Sequence, residues 1–279
     1  MATVRKSKPA STTGKKTVSN VEQKKLKRGL LLIASLLLIV VSCVLALWWI
    51  KNRLFAENKR FTLRVVEIHS TGYWAQNENN RVLLLQKVNL QPGRDNLMAM
   101  DLPQLRQTLR NIPNIADAQI SMELPDKLKI SIDERIPWAF IGKKNGNWVV
   151  DSEGLIMESK ECFGVHSKLP VISVLQRDIL NVKSGNKLPA AAEPLKLLAA
   201  VKQTKSFTVN TIIALDDKLC VNMEYHSAGK SSNYMVNMPV GNYEKLLNQI
   251  QTVIDNAIKR NERFTVVNVL YNGQTVLSK

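Results

Sequence analysis

The sequence predicts an α+β protein. It is expected to carry a single N-terminal transmembrane helix, a small domain of strand-helix-helix-strand-strand order, and then a mostly antiparallel β domain with helices. Three observations carry that expectation. Residues Gly29–Ile50 form an uncharged, strongly apolar run of 22 residues. Beyond it lie short blocks rich in β-branched residues, some in strict alternation, as in Lys127–Glu134 (KLKISIDE). Between those blocks run stretches whose apolar residues recur at helical spacing, Leu102–Ile112 and Asn242–Lys259 among them.

The apolar run comes first. At 1.5 Å rise per residue it spans roughly 33 Å as a helix, against a hydrocarbon core of about 30 Å. Leu30, Leu38 and Leu47 represent its lipid-facing character, and Trp48 and Trp49 stand at its end, where indoles favour the interface. A cleaved signal peptide would have an apolar core of about 7–15 residues followed by a small-residue cleavage site. Here the run is longer and WWIKNR follows, which favours an uncleaved anchor. Residues 1–28 ahead of it carry nine Lys and Arg against the single acid Glu22, with no apolar periodicity. They read as a disordered, cytoplasmic basic tail that orients the span by the positive-inside rule. That tail accounts for half of the net charge of +16, which weakens the case for a DNA-associated factor. With 45% hydrophobic and 22% charged residues, the chain as a whole is neither disordered nor fibrous, and three cysteines cannot build a disulfide scaffold.

After a charged linker at 51–60, residues 61–136 form the first domain. Leu63–Ser70 reads as a strand ending at Thr71-Gly72, and Asn80–Val88 as a helix stopped by Gln91-Pro92-Gly93. Asp101 is placed to cap a second helix with Pro103 in its first turn. Leu102, Leu105, Leu109 and Ile112 then line one face, and Pro113 ends it. Ile115–Glu123 and Lys127–Glu134 follow as strands around the turn Leu124-Pro125-Asp126. A three-stranded sheet with two helices on one face buries this set.

Residues 137–279 form the second domain. Trp138–Lys144 and Asn147–Asp151 are expected to make a hairpin through Asn145-Gly146, whose residue types accept positive φ, and Leu155–Ser159 extends it to a meander. Leu188–Ser206 reads as a helix, Thr208–Leu215, Leu219–Tyr225 and Tyr234–Met238 as strands, and Asn242–Lys259 as an amphipathic helix. Thr265–Tyr271 and Gln274–Leu277 complete the series around Asn272-Gly273.

Signs of catalysis are few. His69, His166 and His226 are scattered, without the spacing of a zinc site, and there is no Walker loop, Rossmann glycine pattern or nucleophile elbow. The reading is therefore of no catalytic residues, no metal, no cofactor and no small-molecule substrate. Cys43 falls in the span. Cys162 and Cys220 fall beyond it and define one possible disulfide, the alternative being two buried thiols.

The stretch Asn96–Phe140 resembles the POTRA domain of the bacterial division proteins FtsQ and DivIB. The matching elements are Asp101 before the leucine-rich helix, Pro113-Asn114-Ile115-Ala116-Asp117-Ala118, Leu124-Pro125-Asp126-Lys127-Leu128 and Glu134-Arg135-Ile136-Pro137-Trp138-Ala139. Trp148–Gly154 (WVVDSEG), Leu169-Pro170-Val171-Ile172 and Val240-Gly241 before a helix resemble later features of that family, whereas the closing strand keeps only Tyr271 of the family's Asp-x-Arg-Tyr run. The resemblance implies a non-catalytic divisome scaffold in the bacterial inner membrane at the septum, with its C-terminal domain outside the cytoplasm. Implied partners are small division proteins of the FtsB/FtsL type and septal peptidoglycan synthases, with no nucleic acid.

A partner strand added to an unpaired sheet edge suits that role. The candidate contact residues are Phe264, Val266, Val267, Val269 and Tyr271, at or beside such an edge. The competing class is a membrane-anchored POTRA module of a protein export or outer-membrane assembly system, in which the module is usually repeated or joined to a barrel. A membrane-tethered envelope enzyme would need a dyad or metal triad that the sequence does not display.

Overall fold

The computed structural model describes residues 18–51, 58–175, 178, 180, 182–227, 230–270 and 274–278. The chain divides between Phe61 and Thr62 into two compact units. The first holds helix α1, Val18–Lys51, whose stretch Ile33–Ile50 is long and apolar enough to cross a membrane. Leu30, Leu38, Leu47, Trp48 and Trp49 are all exposed on it. The helix begins at Val18, ahead of the expected Gly29. Glu22, Gln23, Lys24, Lys25 and Leu26 are all good helix formers, so nothing breaks the helix before the apolar run.

The second unit contains two sheets. The first, in the order β1-β3-β2, is formed by Val65–His69 (β1), Ile115–Glu123 (β2) and Lys127–Glu134 (β3), with β1 parallel and β2 antiparallel to the central β3. The alternation seen in the sequence sends Leu128, Ile130 and Ile132 of β3 into the core. They meet Leu84 from helix α2 (Glu78–Lys87), Leu105 and Leu109 from helix α3 (Leu102–Arg110), and the fully buried Trp74. Asn77 caps α2 by accepting the Asn80 N–H at 2.8 Å. Asp101 caps α3 as the sequence predicts, accepting the Gln104 N–H at 3.0 Å.

The other sheet has nine strands in the order β12-β11-β10-β9-β8-β7-β4-β5-β6. They are β4 (Ala139–Ile141), β5 (Trp148–Val150), β6 (Ile156–Glu158), β7 (Val171–Ser173), β8 (Phe207–Ala214), β9 (Lys218–Ser227), β10 (Lys230–Pro239), β11 (Val266–Val269) and β12 (Thr275–Ser278). Most neighbours are antiparallel, but β4/β7, β7/β8 and β10/β11 are parallel. Helices α4 (Ala192–Thr204) and α5 (Tyr243–Lys259) share one core with the sheet. Leu195, Leu198, Leu247, Ile250 and Ile254 bury against Val209, Ile212, Val221, Met223, Val236 and Val267. At the β4–β7 end the opposite face is covered as well, where Phe140, Val149, Met157 and Val171 form a second small core. Those short strands are thus buried on both sides and read as unbroken apolar runs.

Two details differ from the sequence expectation. Strand β7 sits at a central position of the sheet, yet its three residues are too few to show a period. The β4–β5 connection is wider than a two-residue turn: Phe140 pairs with Val149, and the loop between them turns at Gly142 (φ 81°) and Asn145 (φ 53°).

Candidate partner-binding edge

Helix α5 carries the chain from β10 to its parallel neighbour β11, and a hairpin then lays β12 outside β11. The register settles which backbone groups face where. Met235 N–H donates to Thr265 O at 2.9 Å, so Val267 and Val269 turn their backbone toward β10, while Thr265 directs only its carbonyl there and donates its N–H to Ser278 O of β12 at 3.1 Å. Leu270 N–H donates to Gln274 O at 2.8 Å, so the hydrogen-bonded pairs with β12 include Asn268/Val276 and Val266/Ser278. Thr275 and Leu277 alternate with them and direct their backbone N–H and C=O groups away from β11. β12 is last in the strand order, and no described strand pairs with that side.

The sequence-derived residues fall around this edge in different ways. Val267 and Val269 are buried in the core under α5, and their strand lies one position in from the edge. Val266 is half-buried on the sheet face that α4 and α5 leave uncovered. Phe264 is half-buried and stacks on Tyr234, with ring centroids 5.0 Å apart and planes 18° from parallel. Tyr271 lies outside the described residues. The sequence predicts the last strand, Gln274–Leu277, but assigns no contact residues to it, and β12 is the outermost strand. Thr275 and Leu277 line the helix side, where Thr275 Oγ1 accepts from Gln249 Nε2 at 2.8 Å and Leu277 packs on the core. Val276 is exposed on the other face.

The family-like motif residues build the junction between the two sheets. Glu134, at the end of β3, accepts the Tyr73 and Trp74 N–H groups at 2.7 and 2.9 Å, and the Ser70 hydroxyl as well. Arg135 Nη1 donates to Asp151 Oδ2 at 2.7 Å. Asp151, only 2% exposed, also accepts the Glu153 and Leu155 N–H groups on Oδ1, both at 2.9 Å, and so shapes the turn that Gly154 completes at φ 82°. The buried Asn114 accepts from Trp74 Nε1 at 3.1 Å and donates to Glu161 O, while Lys87 pairs with the Glu161 carboxylate at 2.9 Å. The Glu-Arg and Asp-x-x-Gly motifs are therefore one structural device, split between the end of the first sheet and the first hairpin of the second.

Among the described residues no three of His, Cys, Asp and Glu come together in a metal-holding group. His226 bridges Thr208 Oγ1 and Ser231 Oγ, each at 2.8 Å, on an exposed strand face. Cys162 and Cys220 are both free thiols. Burial pushes the Cys162 thiol up to about 12, with help from the nearby carboxylates of Glu134 and Glu161.

Among the described residues, one helix long and apolar enough to cross a membrane precedes a three-stranded sheet packed on two helices and a wide sheet with an open edge, an α+β class of fold with a POTRA-like first sheet. Residues 83–135 match the family model described as "POTRA domain, FtsQ-type". The chain is 28% identical over 184 residues to the cell division protein FtsQ of Syntrophotalea carbinolica, covering 64% of this chain and 63% of that protein. It is 26% identical over 101 residues to the cell division protein DivIB of Clostridium tetani, covering 36% of each. It is also 31% identical over 136 residues to the cell division protein FtsQ of Anaeromyxobacter sp., covering 49% of this chain and 44% of that protein. The chain thus spans less than two thirds of the length of these curated relatives. Over these stretches it is similar to cell division proteins named FtsQ and DivIB.

Proposed function

We propose that this chain is a non-catalytic scaffold of bacterial cell division, linking early and late septum proteins through contacts outside the cytoplasm. Its relatives are named cell division proteins, which supports the divisome role. The basic N-terminal tail lies in the cytoplasm, α1 anchors the chain in the inner membrane at the septum, and the Thr62–Lys279 unit faces the partners. Those partners are small division proteins of the FtsB/FtsL type and, through them, septal peptidoglycan synthases. The observation that carries the mechanism is the open edge of β12, where Thr275 and Leu277 offer backbone donors and acceptors to an added strand. Phe264 and Val266 lie beside that edge as side-chain contacts, and Val267 and Val269 support them from the core; Tyr271 remains a contact residue proposed from the sequence alone.

The test is Leu277→Pro in the full chain. Proline removes an outward N–H and leaves the inward ladder to β11 intact. It is a cleaner probe than a proline at Val269, which is buried and whose N–H faces β10. Capture of an FtsB/FtsL-type partner by the detergent-solubilised protein is expected to fall about tenfold or more, while the protein still melts cooperatively, at a temperature lowered only by the lost packing of the half-buried Leu277 side chain. A midcell fluorescent band is expected to need the intact edge. A folded Leu277→Pro protein that captures the partner like the parent would refute strand addition, and uniform membrane fluorescence of the parent fusion would refute the septal assignment.

A further inference from the structure

A second surface lies at the ends of strands, not along an edge. β4, β7 and β8 run parallel, and their N-terminal ends open on one cleft of about 460 Å³ backed by the last turns of α4. The backbone of these three strands is paired on both sides within the sheet, so recognition there rests on side chains. The floor is apolar: Pro137, Trp138, Pro170, Leu198 and Phe207. The rim is basic, with His166, Lys168, Lys202 and Lys205, and no carboxylate lines the cleft among the described residues. Two of the last-turn carbonyls of α4 are already engaged. Val201 O accepts from Lys205 N–H at 3.3 Å and Thr204 Oγ1 at 3.0 Å, and Thr204 O accepts from Ser206 Oγ at 3.2 Å. The lysines therefore set the charge of the opening.

One of those lysines is held in place. Lys202 Nζ lies 3.4 Å from the centroid of the Trp138 ring, a cation–π contact that fixes the ammonium at the mouth. Burial there lowers its pKa. None of Lys168, Lys202 and Lys205 has an ion-pair partner among the described residues, whereas Lys87, Lys127, Lys129 and Lys196 elsewhere in the unit all do. The indole also lines a neighbouring, more apolar cavity of about 460 Å³ beside Leu195 and Ala199 on α4. An occupant can thus lie along α4 across both sides of Trp138.

We propose that this cleft binds an acidic peptide segment of a partner protein, with an aliphatic or aromatic side chain seated beside Trp138 and flanking carboxylates on Lys168, Lys202 and Lys205. Charge complementarity selects the acidic flanks. The apolar floor, of a volume usual for ligand sites, selects a side-chain anchor that a simple polyanion lacks.

The test uses the full chain in detergent micelles and a fluorescein-labelled Asp-Glu-Leu-Phe-Glu-Asp peptide, read by fluorescence anisotropy. Saturable binding with a dissociation constant near or below ~100 μM is expected. Replacing Leu-Phe by Gly-Gly in the peptide, or introducing Lys168→Met, Lys202→Met and Lys205→Met together in the protein, is expected to weaken it about tenfold or more. The methionines retain the apolar stems, so the fold is kept, and a matching melting profile checks that. Leu277→Pro is expected to bind the peptide like the parent, which separates this surface from the β12 edge. Absence of binding up to ~1 mM, or equal binding by the triple variant, overturns the proposal. Equal binding of the Gly-Gly peptide, with displacement by poly(glycerol phosphate), overturns it in favour of an unspecific polyanion surface.

Discussion

Truncating Arg135 to alanine is expected to destabilise the Thr62–Lys279 unit by about 3 kcal/mol. The magnitude follows from what is left behind. Asp151 is 2% exposed, and its Oδ2 receives Arg135 Nη1 at 2.7 Å. Removing one partner of a buried ion pair costs about 3–5 kcal/mol, because the other charge stays desolvated. Asp151 keeps the Glu153 and Leu155 amide donors on Oδ1, which places the cost at the lower end of that range. The second carboxylate near Arg135, Glu153, has a 61% exposed side chain and adds little. For a unit of this size the loss corresponds to a melting temperature lower by ~6–12 °C. Thermal and urea melts of the full chain in detergent, followed by tryptophan fluorescence, measure it. Asp151→Asn removes the buried charge while keeping the turn acceptor. Arg135→Ala made in that background is therefore expected to cost ~1–2 kcal/mol less than it does alone. A loss below about 1 kcal/mol for Arg135→Ala, or simple additivity in the double variant, would refute the argument that this pair locks the junction.

Two further outcomes can be measured directly. Gly154→Ala is expected to cost about 1–2 kcal/mol, because φ is 82° there while the nearest atoms to a new Cβ, at 3.7 and 3.8 Å, are in ordinary contact. Gly154→Asn, which tolerates that conformation, should recover part of the loss in the same melts. Cys162, held protonated up to about 12, is expected to react with iodoacetamide at pH 8 about a thousandfold more slowly than an exposed thiol. Its folded pKa lies above the unfolded value of about 8.5, so its contribution to stability is complete below that pH and is lost as pH rises toward 12. Rapid labelling of Cys162 in the folded protein, followed by mass spectrometry, would contradict this.

The first sheet was legible because its signals are local. The alternation of Lys127–Glu134, the Asp101 cap and the four-residue apolar face of α3 each sit within a dozen residues, and each reappears in the structure. The second sheet was legible only in part. Its hairpin residues and the α5 stripe were visible, but β7 is too short for a period and acquires its central place from pairing with β4 and β8. Strand order was hidden for the same reason. β11 pairs in parallel with β10 across the whole of α5, which no local pattern announces, whereas Asn272-Gly273 does mark the last strand as its hairpin partner. The candidate contact residues were accordingly drawn to the more apolar strand, two of whose three valines, Val267 and Val269, are core. Glu134-Arg135 and Asp151–Gly154 could be read as motifs, while their meeting through a 2.7 Å ion pair required the fold.

The shortness of β12 limits what can polymerise on it. With four residues and two of them facing outward, the edge offers four backbone hydrogen-bonding groups. At about 0.5–1.5 kcal/mol net for each bond, a strand paired there by backbone alone gains at most ~6 kcal/mol. Association itself costs an estimated 4–15 kcal/mol, which that gain offsets only at the low end of the range, so backbone pairing alone holds copies of this chain weakly at best. A long, flat edge would template aggregation in a crowded envelope, and this one is too brief to do so. The same brevity makes the edge dependent on its cognate ligand: a strand stays only if it brings side chains that bury against surfaces such as Val276 and the Tyr234–Phe264 stack.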